Sequence, residues 1–343
     1  MTGQAIACAR GLGYALAMVR VVLPHAPDPL VVLSPDAKDA CGLESIDTDA
    51  LLALYRDHGA ILLRGFAFDL AAFGRFCRAL CPTAAINESP GREVLDGDHA
   101  IQTVNTGADP FPLHPELARE AWKPDTAFFA CLSPPGAGGQ TTICDGVELV
   151  RRLPCTLRDD LAARRLLHVF PTWPGLLEFW LGTVQPDPAL LDAPPPTCPY
   201  RFRRLSDGRL VRLFTRPLLH RPMFAGELAF GNFLLFARDY VGRRDFPLLD
   251  DGSEVPEAWV DAVRSAAQTV EVEVAWHQGD ILMLDNTRFM HGRRAIRDTA
   301  ERRIATYFGY LSGAPRNPEE PPLPPWRAGD FAPPLNPALV THR

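Results

Sequence analysis

The sequence predicts a mainly β fold with helices, in which an antiparallel barrel or jelly roll is decorated by helices. Short segments with strand character occur in both halves of the chain, whereas segments with helical periodicity lie mostly near the N-terminus. The 343 residues contain no internal repeat and no flexible linker near the middle. Since β-barrels commonly run past roughly 200 residues as one unit, we expect a single domain.

Two helices are expected early in the chain. Residues 47–58 place apolar side chains at helical spacing behind an Asp/Thr cap and stop at Gly59. The segment AILLRG should follow as a strand. Asp69 is a typical helix cap, and the apolar stripe of residues 70–81 predicts a second helix that packs on the core.

The middle of the chain alternates strands with one short helix. After a polar stretch at 86–99, AIQTVN is expected as a short strand and TAFFACLS (126–133) as a largely buried one. TTIC predicts a further strand, and residues 146–153 a short helix that ends at a proline.

The second half is less regular until residue 255. Residues 170–250 are mixed, and we expect lid-like loops there over part of a sheet. A helix is predicted over 255–267. QTVEVEVAW then alternates apolar with polar or small residues and is the clearest strand of the chain. DILMLDN and RRIATYFGYL are the last expected strands.

Composition limits the location and the partners. The net charge of −6 gives no basic surface for nucleic acid. Residues 11–23 are apolar but contain Arg20 and are too short for a membrane span. We therefore expect a cytoplasmic protein that binds a small molecule, with no nucleic-acid or membrane partner. Nine prolines between 315 and 337 predict an extended tail that wraps the body, with disorder as the alternative.

A His-x-Glu pair, His114 and Glu116, is the first candidate site. On extended backbone residues i and i+2 point the same way, so both side chains can reach one ion. Such a triplet is weak evidence alone, because it often arises by chance. His291 lies between two expected strands, at the mouth of a barrel; His277, beside a turn, is the weaker competitor. Two imidazoles and one carboxylate can hold Fe(II) on one face and leave three positions open.

Several linked motifs resemble the TauD/TfdA family of Fe(II)/2-oxoglutarate-dependent dioxygenases, in the clavaminate synthase-like superfamily. The matching segments span roughly residues 45–312 in the family's order. The resemblance implies a double-stranded β-helix (jelly-roll) core over 45–312 with a lid-like insert around 170–250. Residues 1–40 would be an N-terminal extension and 313–343 a proline-rich tail of this single catalytic domain. The matching segments are HGAILLRGF, PLHPELAREAWKPDTAFFACLSPPGAGGQTTICDG, GDILMLDNTRFMHGRR and ERRIATYFGYL.

The resemblance implies that His114, Glu116 and His291 ligate Fe(II), with 2-oxoglutarate and O₂ as cosubstrates. Oxidative decarboxylation to succinate and CO₂ would be coupled to hydrogen abstraction from an unactivated C–H bond, with hydroxylation as the default outcome. Desaturation or cyclisation would use the same iron site. Related halogenases have a small residue where this chain has Glu116, which disfavours halogenation.

The same resemblance assigns a clamp for the distal carboxylate of 2-oxoglutarate. Thr141 matches the threonine that hydrogen-bonds this carboxylate, and an arginine a little over ten residues after His291 pairs with it. The RRI context favours Arg303 over Arg302. A planar guanidinium can bind a carboxylate through two hydrogen bonds. The alternative for Arg303 is a surface salt bridge with Glu301 or Asp298.

The substrate is less defined. Sulfonate-using members carry an arginine four residues beyond the 2-oxoglutarate arginine; this chain has Tyr307 there, which puts taurine in doubt and makes Tyr307 a candidate substrate residue. Asn105 is a substrate candidate, with a turn as the alternative. Of Arg293, Arg294 and Arg297, at least one could bind a substrate anion and two are expected in solvent. The motif resembles branches that hydroxylate amino acids or natural-product intermediates, either free or tethered to a carrier protein. Whether the protein forms a homo-oligomer is left open by the sequence.

Two rival functions remain. A non-oxidative, cupin-like metalloenzyme or isomerase would keep the three ligands but would not need a carboxylate clamp such as Thr141 with Arg303. A non-catalytic binding protein would be expected to have lost a ligand. The sequence therefore favours the oxygenase.

Overall fold

Sixteen strands and eight α-helices make up the part of the chain that the structure describes. The computed structural model describes residues 19–36, 41–298, 302–329 and 331–334. The strands are β1 (Val19–Val22), β2 (Val31–Pro35), β3 (Ala60–Leu63), β4 (Thr83–Ala84), β5 (Gln102–Thr103), β6 (Phe111–His114), β7 (Thr126–Ser133), β8 (Thr141–Asp145), β9 (Arg165–Pro171), β10 (Arg201–Arg204), β11 (Leu210–Pro217), β12 (Leu248–Leu249), β13 (Val272–Glu273), β14 (Ile281–Asp285), β15 (Phe289–Arg293) and β16 (Arg303–Tyr310). The helices are α1 (Thr48–His58), α2 (Leu70–Leu80), α3 (Gly146–Arg152), α4 (Cys155–Ala162), α5 (Pro174–Leu181), α6 (Pro188–Asp192), α7 (Leu234–Asp239) and α8 (Glu257–Val270).

The described strands form three sheets. The largest has eight strands in the order β1-β2-β3-β14-β7-β16-β4, with β5 also paired to β16. A second sheet has the order β13-β8-β15-β6, and a third the order β10-β11-β9-β12. Strands β2 and β3 are parallel, and the other pairs between named strands are antiparallel. The architecture is therefore mixed, with sheets and helices, as the sequence predicted.

The first two sheets enclose the core that positions the site. Phe129 of β7 meets the ring of His291 of β15, with the centroids 4.9 Å apart. Apolar side chains from both sheets, including Ile143, Leu282 and Phe308, belong to this same buried cluster. Each such side chain contributes about 1.5–3 kcal/mol when it leaves water. Packing around this shared cluster thus fixes the position of the first sheet relative to the second.

The two predicted N-terminal helices are confirmed as α1 and α2. The carboxylate of Asp47 accepts hydrogen bonds from the backbone of Asp49 and Ala50, and Asp69 caps α2 through the amide of Ala72. Helix α1 ends at Gly59, whose φ of 76° is the left-handed conformation that glycine adopts without a steric penalty. The apolar stripe of α2 packs on the face of the large sheet that lies away from the second sheet.

The predicted strand QTVEVEVAW is wrong for most of its length. Helix α8 continues to Val270, and strand pairing with β8 is limited to Val272 and Glu273, with one further backbone hydrogen bond from the amide of Val274 to the carbonyl of Thr141. Val274 and Trp276 are nevertheless buried, at 1% and 8% exposure. Both side chains pack on the core although they lie outside the named strands. Alternation in a sequence indicates which residues are buried and not how the backbone is paired, which explains why the strand prediction was wrong.

Helices α5, α6 and α7 and strands β10, β11 and β12 occupy the region around residues 170–250. Strands β10 to β12 join β9 in the third sheet. In the C-terminal segment, Trp326 is buried and Arg327 forms a salt bridge with Asp125. Parts of the predicted N-terminal extension and tail lie outside the described residues. None of the described helices has the length and apolar character that a membrane crossing requires.

Candidate metal centre and cosubstrate site

His114 and His291 meet across two neighbouring strands. His114 is the last residue of β6, and it pairs directly with His291 of β15. Their ring centroids are 4.6 Å apart, and Nε2 of His291 lies 3.6 Å from Oε2 of Glu116. The candidate ligand atoms of the three residues all lie within 4.8 Å of one another. The structure therefore brings the three predicted ligands into one cluster.

The imidazole of His114 is prepared for a metal ion by its own strand. Its Nδ1 donates a hydrogen bond to the carbonyl of Pro112 at 2.8 Å, which leaves the lone pair of Nε2 free to bind a metal ion. Burial, followed by the neighbouring His291, lowers the pKa of His114 to about 3. The ring is therefore neutral near pH 7, which is the form that binds a metal.

The backbone at Glu116 is held by Asn286, from the loop after β14. The Asn286 side-chain carbonyl accepts the amide hydrogen of Glu116 at 2.7 Å, and its NH₂ group donates to the carbonyls of Glu116 at 3.1 Å and Pro124 at 2.8 Å. Leu117 follows with a φ of 52°, an uncommon conformation for a side chain with Cβ. Asn286 thus fixes the sharp turn that directs the carboxylate toward the two histidines.

Two polar side chains from the segment after β4 reach the Glu116 carboxylate. The amide of Asn87 donates to Oε1, and Nη2 of Arg92 lies 3.4 Å from Oε2. Burial raises the pKa of Glu116, but the charge of Arg92, and then the two imidazoles, lower it to a net value well below its ordinary range. Glu116 is therefore ionised, which gives the cluster its single negative charge.

Thr141 lies beside an arginine, as the carboxylate clamp requires, but the arginine is Arg302. The Thr141 hydroxyl oxygen accepts hydrogen bonds from Nε1 of Trp276 at 2.9 Å and from Nη2 of Arg302 at 3.3 Å. Nε of Arg302 donates to the carbonyl of Gly139 at 2.8 Å. Gly139 has a φ of 70°, and a Cβ there would lie 3.0 Å from Cδ of Arg302, so glycine allows this close contact. The hydroxyl hydrogen of Thr141 is left free to donate to a carboxylate.

The prediction that favoured Arg303 is corrected. Its side chain is 54% exposed, and its Nη2 lies 3.6 Å from Oε2 of Glu93, outside the cavity. Neighbouring residues of an extended chain point to opposite sides, so Arg302 and Arg303 cannot both face the site. Burial, and then the nearby Arg293, lower the pKa of Arg302 to about 10, which leaves it charged near neutral pH. Glu301, the other predicted partner of Arg303, lies outside the described residues.

Tyr307, predicted as a substrate residue, is not in the site. It is fully buried on the opposite face of β16, and its hydroxyl donates to the carbonyl of Cys81 at 2.6 Å. With Arg302 on the inner face, the position four residues further is Thr306. The hydroxyl of Thr306 accepts from Nη1 of Arg92 at 3.3 Å. The errors at Arg303 and Tyr307 therefore have the same origin, a shift of one residue along a strand.

Asn105 and Arg293 do line the cavity, but most of their polar atoms are hydrogen-bonded to the protein's own backbone, with Nε of Arg293 as the exception. The Asn105 side chain accepts the amide hydrogen of Gly107 and donates to the carbonyl of Pro90. The Arg293 guanidinium donates to three backbone carbonyls, of Asn105, Gly107 and Asp109. Both residues therefore shape the loop that borders the site.

The remaining alternatives from the sequence are resolved by exposure. Arg294 and Arg297 are exposed, as expected for two of the three arginines after His291. Arg294 pairs with Glu271 and Glu273. His277 is also exposed and lies outside the ligand cluster. These residues take no part in the site.

The ligand cluster opens into a cavity of ≈ 270 Å³. The sequence did not indicate several residues of its lining, among them Asn87, Arg92, Arg119 and Phe236. Asn87 and Arg92 lie in a polar stretch without periodicity, so only the fold brings them near Glu116. Aromatic side chains also line the cavity, contributed by β6, β7 and the segment around α7: Phe111, Phe129, Phe233, Phe236 and Tyr240.

Comparisons with known proteins agree with this geometry. Residues 36–307 match the family model described as taurine catabolism dioxygenase TauD, TfdA family. The dapdiamide synthesis protein DdaC of Enterobacter agglomerans is 33% identical over 67 residues, a match that spans 20% of this chain and 20% of that protein.

Three solved structures show the likeness of the fold. A structure of PvcB, described as an Fe, α-ketoglutarate-dependent oxygenase from an isonitrile synthetic pathway, aligns with a TM-score of 0.57 at 17% identity, over 88% of this chain and 94% of that one. A second PvcB structure, from Pseudomonas aeruginosa, aligns with a TM-score of 0.58 at the same identity and coverage. A taurine dioxygenase from Burkholderia xenovorans aligns with a TM-score of 0.56 at 14% identity, over 88% and 92% of the two chains. Because the family model covers most of the sequence, the chain belongs to the TauD/TfdA family of oxidoreductases, which use Fe(II), 2-oxoglutarate and O₂.

Proposed function

We propose that this enzyme hydroxylates an unactivated C–H bond of a small molecule while 2-oxoglutarate is converted to succinate and CO₂. The observation that carries the proposal is the pairing, in one cavity, of a two-histidine, one-carboxylate cluster with the Thr141–Arg302 pair. A hydrolytic or isomerising metal enzyme could use the first but would have no need of the second. We also infer that the two facing sheets form the double-stranded β-helix core of the family.

The residues that line the cavity fit both Fe(II) and 2-oxoglutarate. His114, Glu116 and His291 would hold Fe(II), since a neutral imidazole and an ionised carboxylate are suitable donors. Arg302, with Thr141, would bind the distal carboxylate of 2-oxoglutarate, which matches a charged fork and one hydroxyl donor. When bound, the iron would supply the O₂ chemistry that oxidises the cosubstrate and the C–H bond.

The protein's own residues position the metal ligands and the substrate and exclude water. The Asn286 side chain fixes the backbone turn at Glu116, while Asn87 and Arg92 restrain its carboxylate. Phe236 packs against the ring of His114, with the centroids 4.6 Å apart, and keeps that side of the metal centre apolar. A rigid ligand set beside an apolar wall places the target carbon and limits access of water.

The outcome at the carbon atom depends on substrate placement. Desaturation and cyclisation would use the same residues, so they remain alternatives to hydroxylation. Glu116 occupies the position that halogenases leave open, which argues against halogenation. The similarities to DdaC and PvcB support a natural-product intermediate or an amino-acid unit as substrate. A carrier-bound substrate, a lid role for residues 170–250, a homo-oligomer and a cytoplasmic location stay predictions from the sequence.

The test is succinate formation under controlled oxygen. The protein is loaded anaerobically with Fe(II) and 2-oxoglutarate, and succinate is measured after O₂ is admitted. We expect slow, uncoupled succinate formation without the true substrate, and its loss in His114→Ala, which removes a metal ligand. His277→Ala is the matched control, because this exposed histidine lies outside the cluster. Wild-type protein that binds iron and 2-oxoglutarate but forms no succinate would contradict the proposal.

A further inference from the structure

Glu116 differs from the other two candidate ligands in how its backbone is held. His114 and His291 stand on the paired strands β6 and β15, whose hydrogen-bonded ladder fixes their relative position. Residues 115–125, which lead from β6 to β7, form neither helix nor strand. The position of Glu116 therefore depends on the contacts that other parts of the fold make with this connection.

Asn286 joins Glu116 to the far end of the same connection. Its side chain holds the backbone of Glu116 on one side. On the other side, its backbone amide donates to the carbonyl of Asp125 at 2.9 Å, and its side-chain NH₂ group donates to the carbonyl of Pro124 at 2.8 Å. The place of Asn286 relative to Glu116 is therefore set by the backbone of residues 124 and 125.

A buried ion pair with the C-terminal segment holds Asp125. Nη1 and Nη2 of Arg327 donate to the two carboxylate oxygens of Asp125 at 2.8 and 2.9 Å. The same guanidinium donates to both carboxylate oxygens of Glu320, at 2.7 and 3.1 Å. The carboxylate side chains of Asp125 and Glu320 are each 6% exposed. One arginine thus binds two buried acids, in a geometry that only a planar fork of donors provides.

Removal of the Arg327 charge would leave both acids poorly compensated. Asp125 would keep the backbone amide of Leu311 at 3.0 Å, and Glu320 would keep the indole N–H of Trp326 at 3.1 Å. A buried carboxylate without its cation is strongly unfavourable, so it moves toward water or takes up a proton. The backbone that carries the Asp125 carboxylate also provides the carbonyl that holds Asn286. The disturbance would therefore reach Glu116 in two steps.

We propose that Arg327 is a positioning residue for the metal centre, which acts on Glu116 through Asp125 and Asn286. The inference rests on the proposed function, because it requires that Glu116 binds Fe(II). Arg327 lies beyond residue 307, where the match with the family model ends, so this support comes from outside the matched region. A purely structural role for Arg327 predicts a loss of stability alone. The positioning role predicts weaker Fe(II) binding by protein that is still folded.

A double-mutant cycle on Fe(II) affinity tests this coupling. Fe(II) is titrated without oxygen and without 2-oxoglutarate into the wild type, Arg327→Gln, Asn286→Ala and the double variant, and thermal melting shows that each is folded at the assay temperature. We expect Arg327→Gln to bind Fe(II) roughly fivefold more weakly, which is typical of a residue that modulates a site without touching it. The double variant should bind Fe(II) as weakly as Asn286→Ala alone, because the effect of Arg327 passes through Asn286.

Arg64→Gln is the matched control. Arg64 forms a comparable ion pair with Asp280, with side-chain exposures of 30% and 1% against 25% and 6% for Arg327 and Asp125. Arg64→Gln should lower Tm to a similar extent and leave Fe(II) affinity unchanged. Arg327→Lys keeps the charge but loses the fork of donors. It should show a smaller loss of Fe(II) affinity, and it serves as the folded variant if Arg327→Gln is unfolded at the assay temperature.

His114→Ala in the same titration separates the two hypotheses. If the wild type binds no Fe(II), or if His114→Ala binds Fe(II) as tightly as the wild type, the proposed function fails and the positioning role fails with it. If Fe(II) binding requires His114, three outcomes overturn the positioning role alone: wild-type affinity in the folded Arg327 variants, an equal loss in Arg64→Gln, or additive losses in the double variant.

Discussion

Replacing Arg302 with glutamine should abolish tight binding of 2-oxoglutarate without destabilising the free protein. Arg302 has five N–H donors, of which two are directed to Gly139 and Thr141, so three remain for a carboxylate. Loss of a charged contact to a buried carboxylate costs about 2–3 kcal/mol, or roughly 30- to 150-fold in affinity. Burial already lowers the pKa of Arg302 to about 10, so its charge is unfavourable in the free protein and its removal should not lower Tm.

The assay is calorimetric titration of 2-oxoglutarate into the Fe(II)-loaded protein without oxygen, combined with thermal melting. Wild type and Arg303→Gln should bind alike and gain Tm on addition of 2-oxoglutarate, whereas Arg302→Gln should show little gain. Refutation would come from an Arg302→Gln protein that retains wild-type affinity, or from an equal loss in Arg303→Gln. The first result would mean that Arg302 does not hold the cosubstrate. The second would mean that the exposed Arg303 contributes as much to binding as Arg302.

Three further substitutions address the support of the site. Asn286→Ala should weaken Fe(II) binding and lower stability by about 1–3 kcal/mol, measured by metal titration and melting, because Glu116 loses both backbone contacts. Tyr307→Phe should cost about 1 kcal/mol of stability through its lost bond to Cys81 and leave turnover unchanged; a raised substrate KM would contradict this placement. Burial raises the pKa of Asp285 to about 6, so its stabilising contribution is complete below its unfolded pKa and is lost as pH rises through about 6. Asp285→Asn should therefore gain Tm relative to wild type as pH rises from about 4 to about 6 and keep that gain at higher pH, and a Tm difference that is constant from pH 4 to 6 would refute this sign.

The sequence predicted best those features that are set by local patterns. Helices α1 and α2 carry both a cap and an apolar stripe, so periodicity and capping agree on their extent. Strand β7 was predicted with its observed bounds, because every residue from Thr126 to Cys131 is buried. The three candidate metal ligands also follow from local spacing and from motif order.

The failures have one physical cause, which is that sequence alone does not fix which face of a strand is inward. Along β16, Ile304 and Phe308 pack toward the metal centre, whereas Ala305 and Tyr307 pack toward α2. Arg303 shares the parity of Tyr307, so the wrong anchor and the wrong substrate residue came together. The alternation of Val270 to Trp276 misled in a related way, since burial there arises at a helix end and a loop.

Sequence patterns could not have identified Arg92, because it lies in a connecting segment. The site has two parts, the metal ligands on or beside strands and the lining residues on connecting segments and α7. The metal ligands stand on or beside paired strands, whose geometry is set by the ladder between β6 and β15. Arg92, Arg119, Phe236 and Tyr240 instead come from connecting segments and from helix α7 with its C-terminal end. Loops tolerate change that strands do not, so the residues facing the substrate can vary while the iron and 2-oxoglutarate positions persist. Substrate choice in this chain is therefore to be sought in its connecting segments.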